Sequence, residues 1–118
     1  MNNQTFGKRG EEVAREFLKK KEYEILATNF QKQSGEIDII AKKNGEYVFV
    51  EVKTRQGLNY GYPEEAVTPE KINRIIETGL QWLEENDIET ENYRIDVIAI
   101  ETNNGKSKIT HLENVSID

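Results

Sequence analysis

The stretch Gly35–Arg55, GEIDIIAKKNGEYVFVEVKTR, decides the fold of this chain. Two apolar runs flank an Asn44-Gly45 pair, which is a strong signal for a β-hairpin turn. Side chains of a strand alternate between faces, so the second run places three valines on one face and Glu51 and Lys53 on the other. The stretch therefore predicts a hairpin whose second strand carries charges on one side.

A further charge, Asp38, lies inside the first apolar run, Glu36–Ala41. If the two strands pair, Asp38 and Glu51 can lie side by side, with Lys53 one pleat along. Two carboxylates and an ammonium at a sheet edge form an arrangement suited to metal-dependent hydrolysis. The chain has no cysteine and one histidine, so oxygen ligands, and hence magnesium, manganese or calcium, are expected at any metal site.

The rest of the sequence predicts two helices and further strands around this hairpin. The order αβββαββ is typical of an α/β fold with a central mixed β-sheet flanked by helices, and a long strand, Glu46–Thr54, is expected near its middle. Residues 1–118 are expected to form a single domain. The other expected elements are a helix at Thr5–Lys20, a strand at Tyr23–Phe30, a loop at Gln56–Thr68, a helix at Pro69–Glu85 capped by Thr68, and strands at Tyr93–Ile100 and Lys108–Leu112.

Each predicted helix has an apolar stripe that we expect to pack on the sheet. On the first helix, Glu11 borders the stripe while Glu12 points to water. On the second helix, Trp82 is expected to be a packing residue. The stripes comprise Phe6, Gly10, Val13, Ala14, Phe17 and Leu18 on the first helix, and Ile72, Ile75, Ile76, Gly79, Leu80 and Leu83 on the second.

The composition predicts a soluble, cytoplasmic protein with no membrane partner, since it contains neither a long apolar run nor a signal-peptide core. The formal net charge of −6 argues against a general nucleic-acid coat. It does not argue against an enzyme that binds phosphates locally through a few cations. Arg55 and Lys71 are candidates for such contacts, although a solvated helix face is the plainer interpretation of Lys71 and its neighbour Arg74.

Asp38 and, after twelve residues, Glu51-Val52-Lys53 together resemble the PD-(D/E)XK nuclease signature. The longer words GEIDIIA and VFVEVKTR, with RGEEVA upstream at Arg9–Ala14, are similar more narrowly to the YraN-like family of small bacterial proteins. That family is related by fold to archaeal Holliday junction resolvases. The resemblance spans roughly residues 6–100 and implies a restriction-endonuclease-like fold.

The resemblance also implies a site and an activity. Asp38 and Glu51 would be metal ligands for Mg²⁺ or Mn²⁺, Lys53 the third active-site member, and Glu11 a further acidic residue acting directly or through water. The implied reaction is hydrolysis of phosphodiester bonds in DNA, including branched, Holliday-junction-like DNA, by a homodimer with two related sites. The sequence departs from the signature at Ile37, where the signature has a proline that is not a ligand.

Plainer alternatives stand beside this interpretation. Glu51 and Lys53 could form a solvated pair of small energetic value. The whole chain could be a non-catalytic module that holds nucleic acid or a protein partner on a nuclease fold. Outside the hairpin, Asp96 is expected to be a partner for Arg94, or a polar group satisfied by the backbone, rather than part of a site, and His111 is expected at the surface.

Overall fold

A computed structural model of the chain describes residues 3–56 and 67–116, with side chains from residue 9 onward. The predicted order of elements is confirmed within these residues, and several elements are longer than expected because polar residues at their ends also pair through the backbone. Most of the predicted loop Gln56–Thr68 lies outside the described residues. The elements are α1 (Asn3–Lys20), β1 (Glu24–Lys32), β2 (Gly35–Lys43), β3 (Glu46–Gln56), α2 (Pro69–Glu85), β4 (Tyr93–Asn103) and β5 (Lys106–Leu112).

The strands form one mixed sheet in the order β1-β2-β3-β4-β5, so β3 is central as predicted. Strands β1, β2 and β3 are antiparallel neighbours, and β5 is antiparallel to β4. Strands β3 and β4 are parallel, in a register that runs from Tyr47↔Tyr93 to Gln56↔Thr102. A parallel pair needs a crossover connection, and α2 lies in that connection.

The β2–β3 turn confirms the hairpin signal. Asn44 and Gly45 have φ values of 51° and 79°, and positive φ at both central residues is what a two-residue type I′ turn requires. Asn104 and Gly105 repeat the pattern between β4 and β5, with φ values of 52° and 76°. Both turns are therefore set by local backbone chemistry.

Two apolar clusters cover the two faces of the sheet. One includes Ala14 and Leu18 of α1, and the other includes Ile72 and Ile75 of α2. Trp82 is buried, as expected, with 8% of its surface exposed. Val13 and Leu80 were expected to pack on the sheet with the rest of the apolar stripes, and this prediction was wrong. They lie at the margins of the stripes and are 38% and 42% exposed.

Within the described residues, no helix is long and apolar enough to cross a bilayer. Strand β3 lies between α1 and α2, and its residues Val48, Phe49 and Val50 are fully buried. The alternation predicted for this strand is confirmed, since Val48 and Val50 belong to the α1 cluster and Phe49 to the α2 cluster.

Gly79 allows α2 to approach the central strand closely. A Cβ atom at this position would lie 2.4 Å from Cε2 of Phe49, whose ring is fully buried and has no room to withdraw. We expect Gly79→Ala to lower the free energy of unfolding by about 1–3 kcal/mol, although alanine gains about 1 kcal/mol in helix propensity. Urea unfolding measures the change, with the exposed Leu80→Ala as a control. An unchanged urea midpoint for Gly79→Ala would contradict the close approach.

Candidate active site

Strand β2 parts from β3 at Asp38. The β2–β3 register ends at Ile39↔Val50, and one step further along it would place Asp38 opposite Glu51. Instead of a backbone pair, the Oδ2 atom of Asp38 accepts a hydrogen bond from the backbone N–H of Val52 at 2.7 Å. The Asp38 side chain therefore accepts the N–H of Val52 on β3 beyond the point where the backbone pairing of the two strands ends.

The backbone of the β1–β2 pair is distorted at the same level. The register runs from Thr28↔Ile39 to Phe30↔Ile37, which brackets Asp38 and Asn29, and Asn29 has a φ of 52°. Ile37 packs in the α2 cluster and Ile39 in the α1 cluster. Residues two apart share a face in a regular strand, so β2 is twisted out of simple alternation at Asp38.

Negative charge is concentrated around Asp38. Burial of this carboxyl, followed by the charge of Glu51, raises the pKa of Asp38 to about 7, and the charges of Glu11 and Glu36 act in the same direction. The hydrogen bond from Val52 opposes the rise. Asp38 and Glu51, which the sequence placed side by side, therefore interact strongly, and Glu11 of α1 reaches the same site electrostatically.

This raised pKa gives a stability prediction. The folded pKa of about 7 lies above the ordinary value of 3.8, so between these values the folded protein holds a proton that the unfolded chain releases. Without divalent cations, we expect the free energy of unfolding to fall by about 2 kcal/mol from pH 5 to pH 8 relative to Asp38→Asn. Urea unfolding in EDTA at several pH values measures this, and parallel pH profiles of the two proteins would contradict it.

Glu51 is buried and paired. It is 6% exposed, and its Oε1 atom lies 2.5 Å from Nζ of Lys71 at the start of α2. The alternative of a solvated Glu51–Lys53 pair is therefore wrong, because Glu51 is shielded from water and its ammonium partner comes from the helix. Lys71 is half-buried and paired, whereas Arg74 is 63% exposed, as expected for a solvated helix face.

A cavity of about 160 Å³ brings these groups together. It lies between the start of β2, the middle of β3 and the first turns of α2. Its lining residues are Gly35, Glu36, Asp38, Glu51, Lys71, Arg74 and Ile75. Lys53 is half-buried on β3 and lies outside this lining, as does Arg55 near the end of the strand.

Local contacts fix α2 over this cavity. Thr68 caps the helix by accepting the N–H of Lys71 at 3.2 Å. Farther along, the buried Thr78 hydroxyl lies 2.7 Å from the Ser34 hydroxyl in the β1–β2 turn, and Gln81 donates to Ser34 at 2.9 Å. The bonds to Ser34 tie the second half of α2 to the β1–β2 turn, and the Thr68 cap orders the first turn, which carries Lys71.

A small residue fixes α1 in the same way. Gly10 is buried, and a Cβ atom there would lie 2.0 Å from Cγ2 of Thr54 on β3. The close approach brings the next residue, Glu11, to the edge of the sheet where its charge acts on Asp38. Glu11 is half-buried and Glu12 exposed, which confirms the orientation expected from the helical stripe.

A second charged cluster surrounds Asp96 on the α1 side of the sheet. Asp96 is fully buried and accepts from Nε of Arg94 at 3.0 Å and from the backbone N–H of Asn114 at 2.9 Å. Nε2 of His111 lies 2.8 Å from its other oxygen. The expected Asp96–Arg94 pair is confirmed. The surface position expected for His111 is wrong, since its side chain is 4% exposed.

This second cluster is an ion-pair network rather than a cation site. Ligand atoms of Asp96, His111 and Glu113 lie within 4.8 Å of one another. Arg94, however, contacts both oxygens of Asp96 and also Glu113. Burial alone would raise the pKa of Asp96, but hydrogen bonds from His111, Arg94 and Asn114 outweigh it and hold the pKa below its ordinary value. A guanidinium already supplies the positive charge here.

Fold and site together define an α/β protein with a carboxylate-lined cavity where two strands of a mixed sheet part. Residues 10–100 match the family model described as uncharacterised protein family UPF0102, and this chain belongs to that family. The expected resemblance to a small bacterial family is thereby confirmed.

Three relatives illustrate the similarity, each named only as a UPF0102 protein. The one from Syntrophomonas wolfei is 42% identical over 112 residues, which cover 95% of this chain and 97% of the relative. The one from Chloroherpeton thalassium is 47% identical over 98 residues, or 83% of this chain and 76% of the relative. The one from Pelobacter propionicus is 45% identical over 116 residues, or 96% and 83%.

Proposed function

We propose that this protein is a Mg²⁺- or Mn²⁺-dependent endonuclease that hydrolyses phosphodiester bonds in DNA and leaves a 5′-phosphate. The observation that carries the proposal is the crowding of Asp38 and Glu51 at the point where β2 leaves β3, with Glu11 and Glu36 close enough to raise the pKa of Asp38. Crowded carboxylates that line a cavity are costly for a fold and are frequent at functional sites.

The donor set fits a hard divalent cation. Asp38 and Glu51 offer carboxylate oxygens on one wall of the cavity, and such ions take one or two carboxylates together with water and phosphate oxygens. Glu11 completes the acidic set, directly or through water. When bound, the ion supplies a hydroxide nucleophile at neutral pH and neutralises the charge that develops on the phosphate.

Other groups of the chain would orient the ligands, stabilise charge and bind the DNA. The bond between the backbone of Val52 and Asp38 fixes the carboxylate rotamer. Lys53, two residues after Glu51 on the central strand, would stabilise the developing negative charge or position the attacking water. Arg55 and Lys71 would contact phosphates of the DNA. With a net charge of −6, DNA binding would rest on these local cations and on the metal rather than on long-range attraction.

A cleavage assay tests the proposal. Labelled single-stranded, duplex and four-way-junction DNA are incubated with the protein and Mg²⁺, Mn²⁺ or EDTA. We expect cutting with either metal, none in EDTA, and 5′-phosphate ends. Preference for the four-way junction would support a branched substrate cut by a homodimer, which sedimentation of the complex would reveal. Binding without cutting on any substrate would overturn the proposal in favour of a non-catalytic module.

A further inference from the structure

Lys71 lines the acidic cavity and contacts one of its carboxylates. Its Nζ atom lies 2.5 Å from Oε1 of Glu51, and the two side chains are 33% and 8% exposed. A buried carboxylate without a positive partner is strongly unfavourable. Lys71 is therefore the positive partner of the buried Glu51 side chain in the metal-free protein.

A divalent cation on Glu51 would compete with this ammonium. Both cations need the same buried carboxylate, and two positive charges a few ångströms apart repel each other when little water separates them. A lysine stem is long and flexible, and Lys71 is partly exposed beside an open cavity. Its ammonium can therefore move away while the helix backbone, capped by Thr68, stays in place.

We propose that Lys71 is a displaceable counter-ion that neutralises Glu51 in the metal-free protein and, once a divalent cation takes Glu51, turns to hold a phosphate of the DNA. The inference rests on the proposed metal-dependent function and adds an order of events to it. The phosphate contact of Lys71 forms only after the metal is in place. Metal binding thus prepares the cavity for its anionic substrate.

Arg74 provides a matched comparison one turn along the same helix. It lines the same cavity, but its side chain is 63% exposed and its guanidinium lies 3.7 Å from Glu70 rather than on Glu51. Removing Arg74 deletes a cation from the cavity without removing the partner of Glu51. A change that is specific to Lys71 therefore reports on the Lys71–Glu51 pair and not on net charge.

The first measurement is Mn²⁺ affinity, followed by electron paramagnetic resonance of the free ion at pH 8.5. We expect Lys71→Met to bind Mn²⁺ about five-fold more tightly than the wild type, because a competing like charge has been removed. Arg74→Met should bind within about two-fold of the wild type, since exposed charges are screened. Unchanged or weaker Mn²⁺ binding by Lys71→Met would overturn the inference and make Lys71 a fixed support of Glu51.

The second measurement is binding of duplex DNA, with Ca²⁺ in one arm and EDTA in the other. Fluorescence anisotropy should show that Lys71→Met weakens binding several-fold with Ca²⁺ but by less than about two-fold in EDTA, where the ammonium of the wild type stays on Glu51. Arg74→Met should weaken binding equally in both arms. Equal losses for Lys71→Met in the two arms would overturn the ordered role.

Failure of this inference can be told from failure of the proposed function. A wild-type chain that binds no Mn²⁺ overturns the metal centre and the counter-ion role together. A wild-type chain that binds Mn²⁺ and cuts DNA, with no difference between Lys71→Met and Arg74→Met, overturns the counter-ion role alone.

Discussion

Replacing Asp38 by Asn, or Glu51 by Gln, is expected to reduce metal-dependent DNA cleavage by a factor of about 10²–10³ or more. Each change keeps the shape of the side chain and removes the charge that would hold the cation. In the Asp38→Asn variant, the amide oxygen can still accept the hydrogen bond that Val52 donates to Asp38 at 2.7 Å, so the fold around β2 is retained. The variants therefore separate the chemistry of the carboxylates from their structural role.

Glu36→Gln is the matched control for these two variants. Glu36 lines the same cavity and contributes to the raised pKa of Asp38, but it is exposed and is not assigned as a ligand. We expect its cleavage rate to stay within a few-fold of the wild type. Circular dichroism and Mn²⁺ titration accompany the rates. Wild-type cleavage by folded Asp38→Asn or Glu51→Gln would show that the site lies elsewhere.

The parts of this fold that could be predicted from the sequence are those set by local signals. The Asn44-Gly45 turn fixes the hairpin, and the Thr68-Pro69 start fixes the beginning of α2. Period-two alternation along β3 assigned Phe49 and its valine neighbours to opposite faces. Because an antiparallel register follows from its turn, the sequence also predicted that Asp38 and Glu51 lie near each other, and the charge of Glu51 does act on Asp38.

The parts that could not be predicted depend on how distant elements meet. Lys71 contacts Glu51 because of how α2 packs on the sheet, where Thr78 bonds to the β1–β2 turn. A contact between residues 20 positions apart cannot be predicted from a local sequence pattern. His111 is the single histidine of the sequence and has no neighbouring motif that would predict its role. Its side chain is buried against Asp96 on the neighbouring strand, a contact that only the folded sheet creates. The break in alternation at Asp38 lies beside Asn29, which has a φ of 52° although its sequence context predicts only a regular strand.

The Asp96 network leads to the largest expected loss of stability away from the cavity. Arg94 binds Asp96 and also contacts Glu46 at 2.7 Å, the Tyr23 hydroxyl at 2.6 Å and Glu113 at 3.3 Å. These groups lie just before β1, at the start of β3, near the start of β4 and just after β5. One guanidinium, on a side chain that is 15% exposed, thus joins four parts of the chain.

Asp96→Asn is expected to lower the free energy of unfolding by about 3 kcal/mol or more, because it leaves Arg94 with its main buried partner neutralised. Glu113→Gln is the control on the same guanidinium. Its side chain is 57% exposed, so its loss should stay below about 1 kcal/mol. Urea unfolding at pH 7 measures both changes, and equal losses in the two variants would contradict the dominant role of Asp96.

The pH dependence of the same variant provides an independent check. The folded pKa of Asp96 lies below its ordinary value of 3.8, so its contribution to stability is present above that value and is lost as the pH falls through the folded pKa. The stability difference between the wild type and Asp96→Asn should therefore persist from pH 7 down to about pH 4 and narrow only in stronger acid. A difference that narrowed already between pH 7 and 5 would contradict the charge of Asp96 as the source of this stability.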